Sequence, residues 1–222
     1  MIGNSRWHWA TGRPGSLDSW SGAPGKDKPQ GLTGWAAVGP VPAGLPQERR
    51  VLTGAVPLGD LPPWLGVDRA LGGWWAWRQS RAPVLVVDAG TALSLTRVSA
   101  EGCFAGGRLM AGVALQLRAL GAGTAGLPGL ELPVALPQQR WPSATAEAMA
   151  SGVLRGVAAA VAQAAREAVG ESPRCRLWIT GGDGELLLPL VRELLVERAQ
   201  EVQWAPALAL EALAALRPGP DR

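Results

Sequence analysis

The sequence lacks tyrosine, and it has only two cysteines and two lysines among its 222 residues. Cys103 and Cys175 are far apart and match no metal-binding spacing, so we expect free thiols in a reducing compartment. The formal charge is +3 and the pI is near 9.5, but the basic residues are nearly all arginines and are scattered along the chain. The composition therefore predicts a solvated surface and no nucleic-acid partner.

Long apolar runs are also lacking, since none approaches the roughly 18 residues of a membrane span. The N-terminus has no basic segment followed by an apolar one, which argues against a signal peptide. Hydrophobic residues make up 47% and charged residues 18%, values typical of a folded globular chain. We therefore expect a cytoplasmic protein with no membrane partner, built as one large domain or two compact lobes.

A continuous apolar run that ends in a polar turn stands at residues 84–92, VLVVDAGTA. The aliphatic residues favour a strand covered on both faces. In the turn, Gly90 permits close approach of a ligand, Thr91 offers a hydroxyl and an amide to a phosphate, and Asp88 offers charge to a cation. By itself the stretch is explained equally well as an ordinary hairpin turn that uses Asp and Gly as turn formers.

Hydrophobic periodicity predicts alternating strands and helices along the rest of the chain. Residues 11–31 show no periodicity and are predicted to form a long connection or a mobile surface loop. Residues 103–112 are a glycine-rich segment before a helix. One predicted strand begins at Trp7, and the others lie at 35–38, 51–52, 84–87, 92–98, 176–180 and 202–204. One predicted helix begins after residue 67 and another includes Val113 to Leu120. The remaining helices are predicted at 145–170, 185–198 and 208–216.

Three polar features near predicted helix starts each have two interpretations. Asp68 and Arg69 are either a reactive pair or an acidic first turn that complements the helix dipole beside a solvated arginine. Thr145 is either a ligand contact or the N-cap of the long alanine-rich helix. The Gly181-Gly182 turn either admits a nucleotide or is a plain loop between strand and helix. The tryptophans at 74, 75 and 77 favour a core or a subunit interface.

Taken together, these motifs resemble the type III pantothenate kinases over nearly the whole chain. Gly3-Asn4-Ser5 is similar to the end of the family's first phosphate motif, D-x-G-N-T, and 66–69 match G-x-D-R. Residues 88–92 match D-x-G-T-A, 106–112 resemble G-G-x-I-x-P-G, 124–128 match T-A-x-L-P, 145–152 resemble T-x-x-A-I-x-S-G, and 180–183 match the nucleotide-side turn.

The resemblance implies an actin-like (ribonuclease H-like) α/β fold of two lobes, each a mixed sheet flanked by helices. The N-terminal lobe would span 1–83 and the C-terminal lobe 84–222. It also implies ATP-dependent phosphorylation of pantothenate to 4'-phosphopantothenate, the first step of coenzyme A biosynthesis. Such an enzyme would use ATP with Mg²⁺ and K⁺ or NH₄⁺, and it would act as a homodimer.

The resemblance assigns a role to each matching residue. Asp68 would be the catalytic base. Arg69 would bind the substrate carboxylate, with Gly66, Val67 and Thr145 as further substrate contacts. The phosphates of ATP would lie against Gly3, Asn4, Ser5, Arg6 and Thr91, and Asp88 would hold the monovalent cation.

The sequence departs from the family pattern in three places. The aspartate of the first phosphate motif would fall at Met1, as if the start were shortened, and Ala111 replaces a proline. The family's substrate-contacting tyrosine ahead of G-x-D-R has no counterpart, because the chain has no tyrosine. The alternative hypothesis is a non-catalytic binding or regulatory relative that lost turnover with the first aspartate. Retention of Asp68 beside Arg69 favours the enzyme.

Overall fold

The computed structural model describes residues 1–26, 28–41, 43–130 and 134–216. Contacts divide the chain into two compact units. The first unit contains 1–84, 96–106 and the described residues from Ala207 onward; the second contains 85–95 and 107–206. The predicted lobes, 1–83 and 84–222, differ from these units because they assign 96–106 and 207–222 to the second lobe. The C-terminal segment groups with the first unit because α5 (Leu208–Leu216) packs on α1 (Val67–Ser80). The segment 96–106 groups with it because residues within 99–104 form backbone hydrogen bonds with a loop of the first unit.

A two-stranded antiparallel hairpin opens the first unit. Its strands are β1 (Trp7–Arg13) and β2 (Ser16–Gly22), with Trp9 opposite Trp20. The prediction of a long connection at 11–31 was therefore wrong over β2. Most residues of β2 are exposed, so the strand has no buried face and shows no alternation of apolar and polar residues.

The first unit is stabilised by large buried side chains around this hairpin. Ile2, Trp9, Trp35 and Leu45 form a small cluster. The short strand predicted at 35–38 is present only as isolated bridges, Ile2 with Ala37 and Trp35 with Arg50. The strand predicted at 51–52 is not formed, since the bridge lies one residue earlier. Short 3-10 helices occupy Gln47–Arg49 and Thr53–Ala55. The segment carries too many prolines and glycines for a continuous ladder of backbone hydrogen bonds.

Helix α1 confirms the helix predicted after residue 67. Trp74 and Trp75 are 4% and 9% exposed, so both are core residues of the first unit. Trp77 is half-buried and its indole nitrogen donates to the carbonyl of Ala100, 3.0 Å away. The helix ends at Arg81, whose backbone adopts the left-handed conformation.

A five-stranded sheet has the order β5-β4-β3-β6-β7. These strands are β3 (Val84–Ala89), β4 (Ala92–Val98), β5 (Phe104–Ala111), β6 (Arg176–Thr180) and β7 (Val202–Trp204). Only two residues join β3 to β4, a connection that only antiparallel neighbours allow, whereas β6 and β7 are parallel. The sheet is therefore mixed. The glycine-rich segment lies largely in β5, whose middle is mostly exposed, and Gly112 is the N-cap of the helix that follows.

Three helices cover this sheet in the second unit. They are α2 (Val113–Gly123), α3 (Thr145–Glu171) and α4 (Gly184–Leu194), and a 3-10 helix follows at Val196–Glu201. The ridge of Met149, Val153, Val157 and Val161 is buried, as its spacing predicts. By length and composition α3 could cross a membrane, but 61% of its most apolar window is buried inside the protein, as in a core helix. The α/β class is thus confirmed.

Candidate active site

Asp68 lies in the first turn of α1, where Gly66 leaves room for its carboxylate. A Cβ atom at position 66 would lie 2.5 Å from Oδ1 of Asp68. The φ of Gly66 is −58°, so glycine is required there for space and not for backbone freedom. The same Oδ1 accepts a 2.8 Å hydrogen bond from the backbone N–H of Arg69.

Burial raises the pKa of the Asp68 carboxyl, although the Arg69 amide and guanidinium act in the opposite direction. A carboxylate that served only to complement the helix dipole would have its charged form favoured and its pKa lowered. A raised pKa brings a carboxylate closer to the range in which a general base works near neutral pH. Asp68 is therefore a half-buried carboxylate compatible with the role of a base, which stays a prediction.

Arg69 is positioned by two residues that the sequence did not single out. Its Nε donates to Oγ1 of Thr96, 3.0 Å away, and its guanidinium carbon lies 5.8 Å from the centre of the Phe104 ring. Thr96 is 1% exposed. Burial lowers the pKa of Arg69, and Asp68 opposes this shift, but an arginine stays charged at neutral pH. The arrangement presents a fixed cation beside the Asp68 carboxylate.

Gly3, Asn4, Ser5 and Arg6 form a tight turn in the first unit before β1. The N–H of Gly3 donates to the carbonyl of Arg6 over 3.1 Å. A Cβ at Gly39 would lie 2.6 Å from the Asn4 amide oxygen, so residue 39 must be small. Arg6 is exposed and its guanidinium donates to the hydroxyl of Ser21, 3.4 Å away. Such a turn can present backbone amides to an anion.

In the second unit, the turn between β3 and β4 is closely surrounded by backbone. Asp88 is half-buried at the end of β3, and Thr91 is exposed in the turn itself. The N–H of Gly112 donates to the carbonyl of Thr91 over 3.0 Å, and a Cβ at Gly112 would lie 2.0 Å from the carbonyl oxygen of Gly90. The turn is thus held against the N-terminus of α2.

The Gly181-Gly182-Asp183 turn after β6 packs against the backbone of Ala89. Gly181 has a φ of +91°, and a Cβ there would lie 2.6 Å from backbone atoms of Ala89. The N–H of Asp183 donates to the carbonyl of Ala89, 2.9 Å away. The turn therefore packs directly on the end of the strand that precedes Gly90 and Thr91, and both interpretations of the turn stay predictions.

Asp183 also stabilises the N-terminus of α2, a role that was not predicted from the sequence. Its carboxylate accepts a hydrogen bond from the backbone N–H of Val113, and burial raises its pKa. One of the N–H groups left without a helical partner at the start of α2 is thereby satisfied. The sequence signal for this contact was only the G-G-D turn itself.

Thr145 is the first residue of α3 and is exposed. The N-cap is Ala144, and no side chain caps the helix. The N-cap interpretation of Thr145 is therefore wrong, and its hydroxyl lies at a helix N-terminus, where anions are favoured. Among the residues that the structure describes, no cluster of three or more His, Cys, Asp or Glu side chains could hold a metal ion.

Two solved structures share the fold over most of their length. A conserved Baf family protein from Campylobacter jejuni aligns over 97% of this chain and 94% of its own, with a TM-score of 0.61 and 18% identity. The activator of the 2-hydroxyisocaproyl-CoA dehydratase from Clostridium difficile, solved with bound ADPNP, aligns over 97% and 91%, with a TM-score of 0.52 and 11% identity. The fold is the actin-like fold that the resemblance implies.

The chain belongs to the type III pantothenate kinase family, whose model matches residues 47–167. The type III pantothenate kinase of Synechococcus elongatus is 38% identical over 87% of this chain and 87% of its own. That of Thermosynechococcus vestitus is 41% identical over 88% and 80%, and that of Synechocystis is 34% identical over 99% and 89%. These relatives carry the name of the kinase, which favours the enzyme over the non-catalytic alternative.

Proposed function

We propose that this chain transfers the γ-phosphoryl group of ATP to the primary alcohol of pantothenate, which gives 4'-phosphopantothenate and ADP. The observation that carries the proposal is the half-buried Asp68 carboxylate, fixed beside Arg69 within the stretch that matches the family. In the reaction, the alcohol oxygen of pantothenate attacks the γ-phosphorus while Asp68 accepts the proton of that alcohol. The bond between the γ-phosphorus and the ADP oxygen breaks, and ADP leaves. Phosphoryl transfer requires little more of a protein than positioning and charge stabilisation.

The remaining roles are proposed separately for each unit. In the first unit, Arg69 binds the carboxylate of pantothenate, Gly66 and Val67 shape its surroundings, and Gly3 to Arg6 bind phosphate oxygens of ATP. In the second unit, Thr91 binds a phosphate and Thr145 adds a hydroxyl contact to the substrate. Exposed amides and hydroxyls in turns and at helix N-termini support these assignments, because such groups bind anions.

Mg²⁺ would bind together with ATP, since the described residues include no cluster of three or more His, Cys, Asp or Glu side chains that could hold it alone. The ion usually takes one or two carboxylates together with waters and phosphate oxygens, so a dedicated cluster of protein ligands is not required. When bound, it neutralises charge on the phosphates. Asp88, half-buried at the end of β3 beside a turn of backbone carbonyls, offers oxygen donors suited to K⁺ or NH₄⁺.

Cytoplasmic location and a homodimer complete the proposal. Leu109 on β5 and Leu115 on α2 are 65% and 40% exposed, which is apolar surface that a second copy could cover. The free thiols of Cys103 and Cys175 are consistent with a reducing compartment.

The direct test is a product assay with ATP, Mg²⁺, K⁺ and pantothenate, in which phosphopantothenate is detected by mass spectrometry. The relative from Synechococcus elongatus, assayed in parallel, serves as the positive control. We expect product from both proteins. Product from the relative alone would refute kinase activity for this chain, and ATP hydrolysis without phosphopantothenate would indicate a different acceptor.

Substitution of Arg69 by lysine should raise the KM for pantothenate about tenfold or more, with a smaller effect on kcat. Lysine keeps the charge but loses the planar pair of donors that binds a carboxylate. Steady-state kinetics with varied pantothenate measures the effect. Arg78→Lys is the matched control, since Arg78 also lies on α1 and stacks on aromatic rings, with its guanidinium carbon 5.4 Å from the Trp74 ring. An unchanged KM in Arg69→Lys would contradict carboxylate binding.

Removal of K⁺ should lower the rate of the wild-type protein, and Asp88→Asn should abolish the dependence on K⁺. Loss of the full negative charge weakens a monovalent cation site that relies on oxygen donors. Rates are compared in K⁺, NH₄⁺ and Na⁺ at equal ionic strength. Asp18→Asn, a change at an exposed residue of β2, should keep the wild-type response. Equal wild-type rates in Na⁺ and K⁺ would exclude the cation role.

A further inference from the structure

Phe104, the single phenylalanine of the chain, contacts Arg69 and also a second aromatic ring. The centroids of the Trp64 and Phe104 rings are 6.3 Å apart, and the rings are nearly perpendicular at 84°. This edge-to-face arrangement is favourable for aromatic pairs. Guanidinium, phenyl ring and indole are therefore in consecutive contact within the first unit.

The backbone fixes this arrangement as well as the side chains. The N–H of Phe104 donates to the carbonyl of Gly59 over 2.8 Å, and the N–H of Gly59 donates to the carbonyl of Gly102 over 2.9 Å. The loop that carries Trp64 is thereby attached to the start of β5 at residue 59. On the other side, Thr96 on β4 accepts from Nε of Arg69. The terminal nitrogens of Arg69 are the pair suited to a carboxylate.

Trp64 itself is 71% exposed, which is unusual for a large aromatic side chain held in a defined position. Trp64 contacts Phe104, and Phe104 in turn contacts the Arg69 guanidinium. A substrate whose carboxylate lies on Arg69 would extend along these rings with its uncharged part. The bulkiest apolar group of pantothenate is the carbon that bears two methyl groups, next to the primary alcohol carbon.

We propose that Trp64 is a specificity-determining residue that covers the two methyl groups of pantothenate, and that Phe104 and Thr96 are positioning residues for Arg69. The inference rests on the proposed role of Arg69 in binding the carboxylate. Trp64 supplies apolar area for the bulkiest apolar group of the substrate. Phe104 contacts both the Arg69 guanidinium and the Trp64 indole. The two ends of the substrate would therefore bind to side chains that are in contact with one another.

The test compares pantothenate with an analogue in which both methyl groups are replaced by hydrogen. The wild-type protein should prefer pantothenate in kcat/KM by about three- to tenfold, since covering two methyl groups is worth about tenfold. In Trp64→Ala the preference should fall towards one, and in Trp64→Phe most of it should return. Val196→Ala, a change at a side chain that is 77% exposed in the second unit, should keep the wild-type preference. Thermal melting checks that each variant folds.

The separate outcomes distinguish the two parts of the inference from the role of Arg69. A wild-type preference that persists in Trp64→Ala would overturn the assignment of Trp64. Phe104→Leu should raise the KM for both substrates about fivefold with kcat little changed, and Phe104→Tyr should restore it. An unchanged KM in Phe104→Leu would overturn the positioning role. Failure of the carboxylate site itself is reported independently by Arg69→Lys.

Discussion

Asp68→Asn should lower kcat by about 10²- to 10⁴-fold while the protein stays folded and becomes more stable at neutral pH. Asparagine keeps the oxygen that accepts the Arg69 N–H, so the first turn of α1 is preserved. It cannot take a proton from the alcohol, and therefore the chemical step slows. Single-turnover measurements of phosphopantothenate formation isolate that step from binding and release.

The stability gain follows from the sign of the pKa shift. Burial raises the pKa of Asp68 above its ordinary value of 3.8, so the folded state holds the proton more tightly than the unfolded state. Folding stability is then lost as pH rises from the unfolded pKa through the folded one. Asparagine carries no such penalty. Its advantage in the free energy of unfolding should therefore be present at pH 7 and vanish below about pH 3.8.

Urea unfolding of the wild-type protein and of Asp68→Asn at pH 7 and near pH 3.5 measures this difference. Asp18→Asn, at an exposed position of β2, is the control and should change neither kcat nor the unfolding free energy. A variant that lost stability at pH 7, or that retained the wild-type kcat, would show that Asp68 is a structural residue and not the base.

The sequence predicts those elements whose burial leaves a pattern. The predicted limits of the strand at 176–180 and of the helix at 208–216 agree with β6 and α5 because apolar residues there follow the period of each element. The strand β2 was missed because its residues are mostly exposed, and β5 because its glycines mask the period. Pattern reasoning detects a strand only when one face, or both, is buried.

The candidate site divides in the same way. Asp68 and Arg69 were proposed from the sequence because G-x-D-R is a local motif, and the structure shows the space that its glycine leaves beside Oδ1 of Asp68. Thr96 and Phe104 were not found, since they reach Arg69 from strands 27 and more residues away. Contacts made across such separations depend on tertiary packing, and a single sequence holds no local signal for them.

Gly181→Ala should destabilise the protein by about 2–4 kcal/mol and raise the KM for ATP. A φ of +91° is costly for alanine, and the new Cβ would lie 2.6 Å from the backbone of Ala89. Either the Gly181 turn or the end of β3 must move, and the 2.9 Å bond from Asp183 N–H to Ala89 is then lost or lengthened. Because Thr91 follows Ala89 by two residues, the proposed phosphate contact moves with it.

Gly182→Ala is the matched control for this turn, because a Cβ at the adjacent glycine would meet nothing within 4 Å. Its effect on the free energy of unfolding should stay within about 0.5 kcal/mol, or become stabilising by a similar amount through the reduced freedom of the unfolded chain. Urea unfolding and ATP titrations of the two variants provide the comparison. Equal effects at both positions would mean that the close approach to Ala89 does not hold the phosphate turn. A large loss confined to position 181 would show that this turn depends on a glycine in the turn after β6, about 90 residues further along the chain.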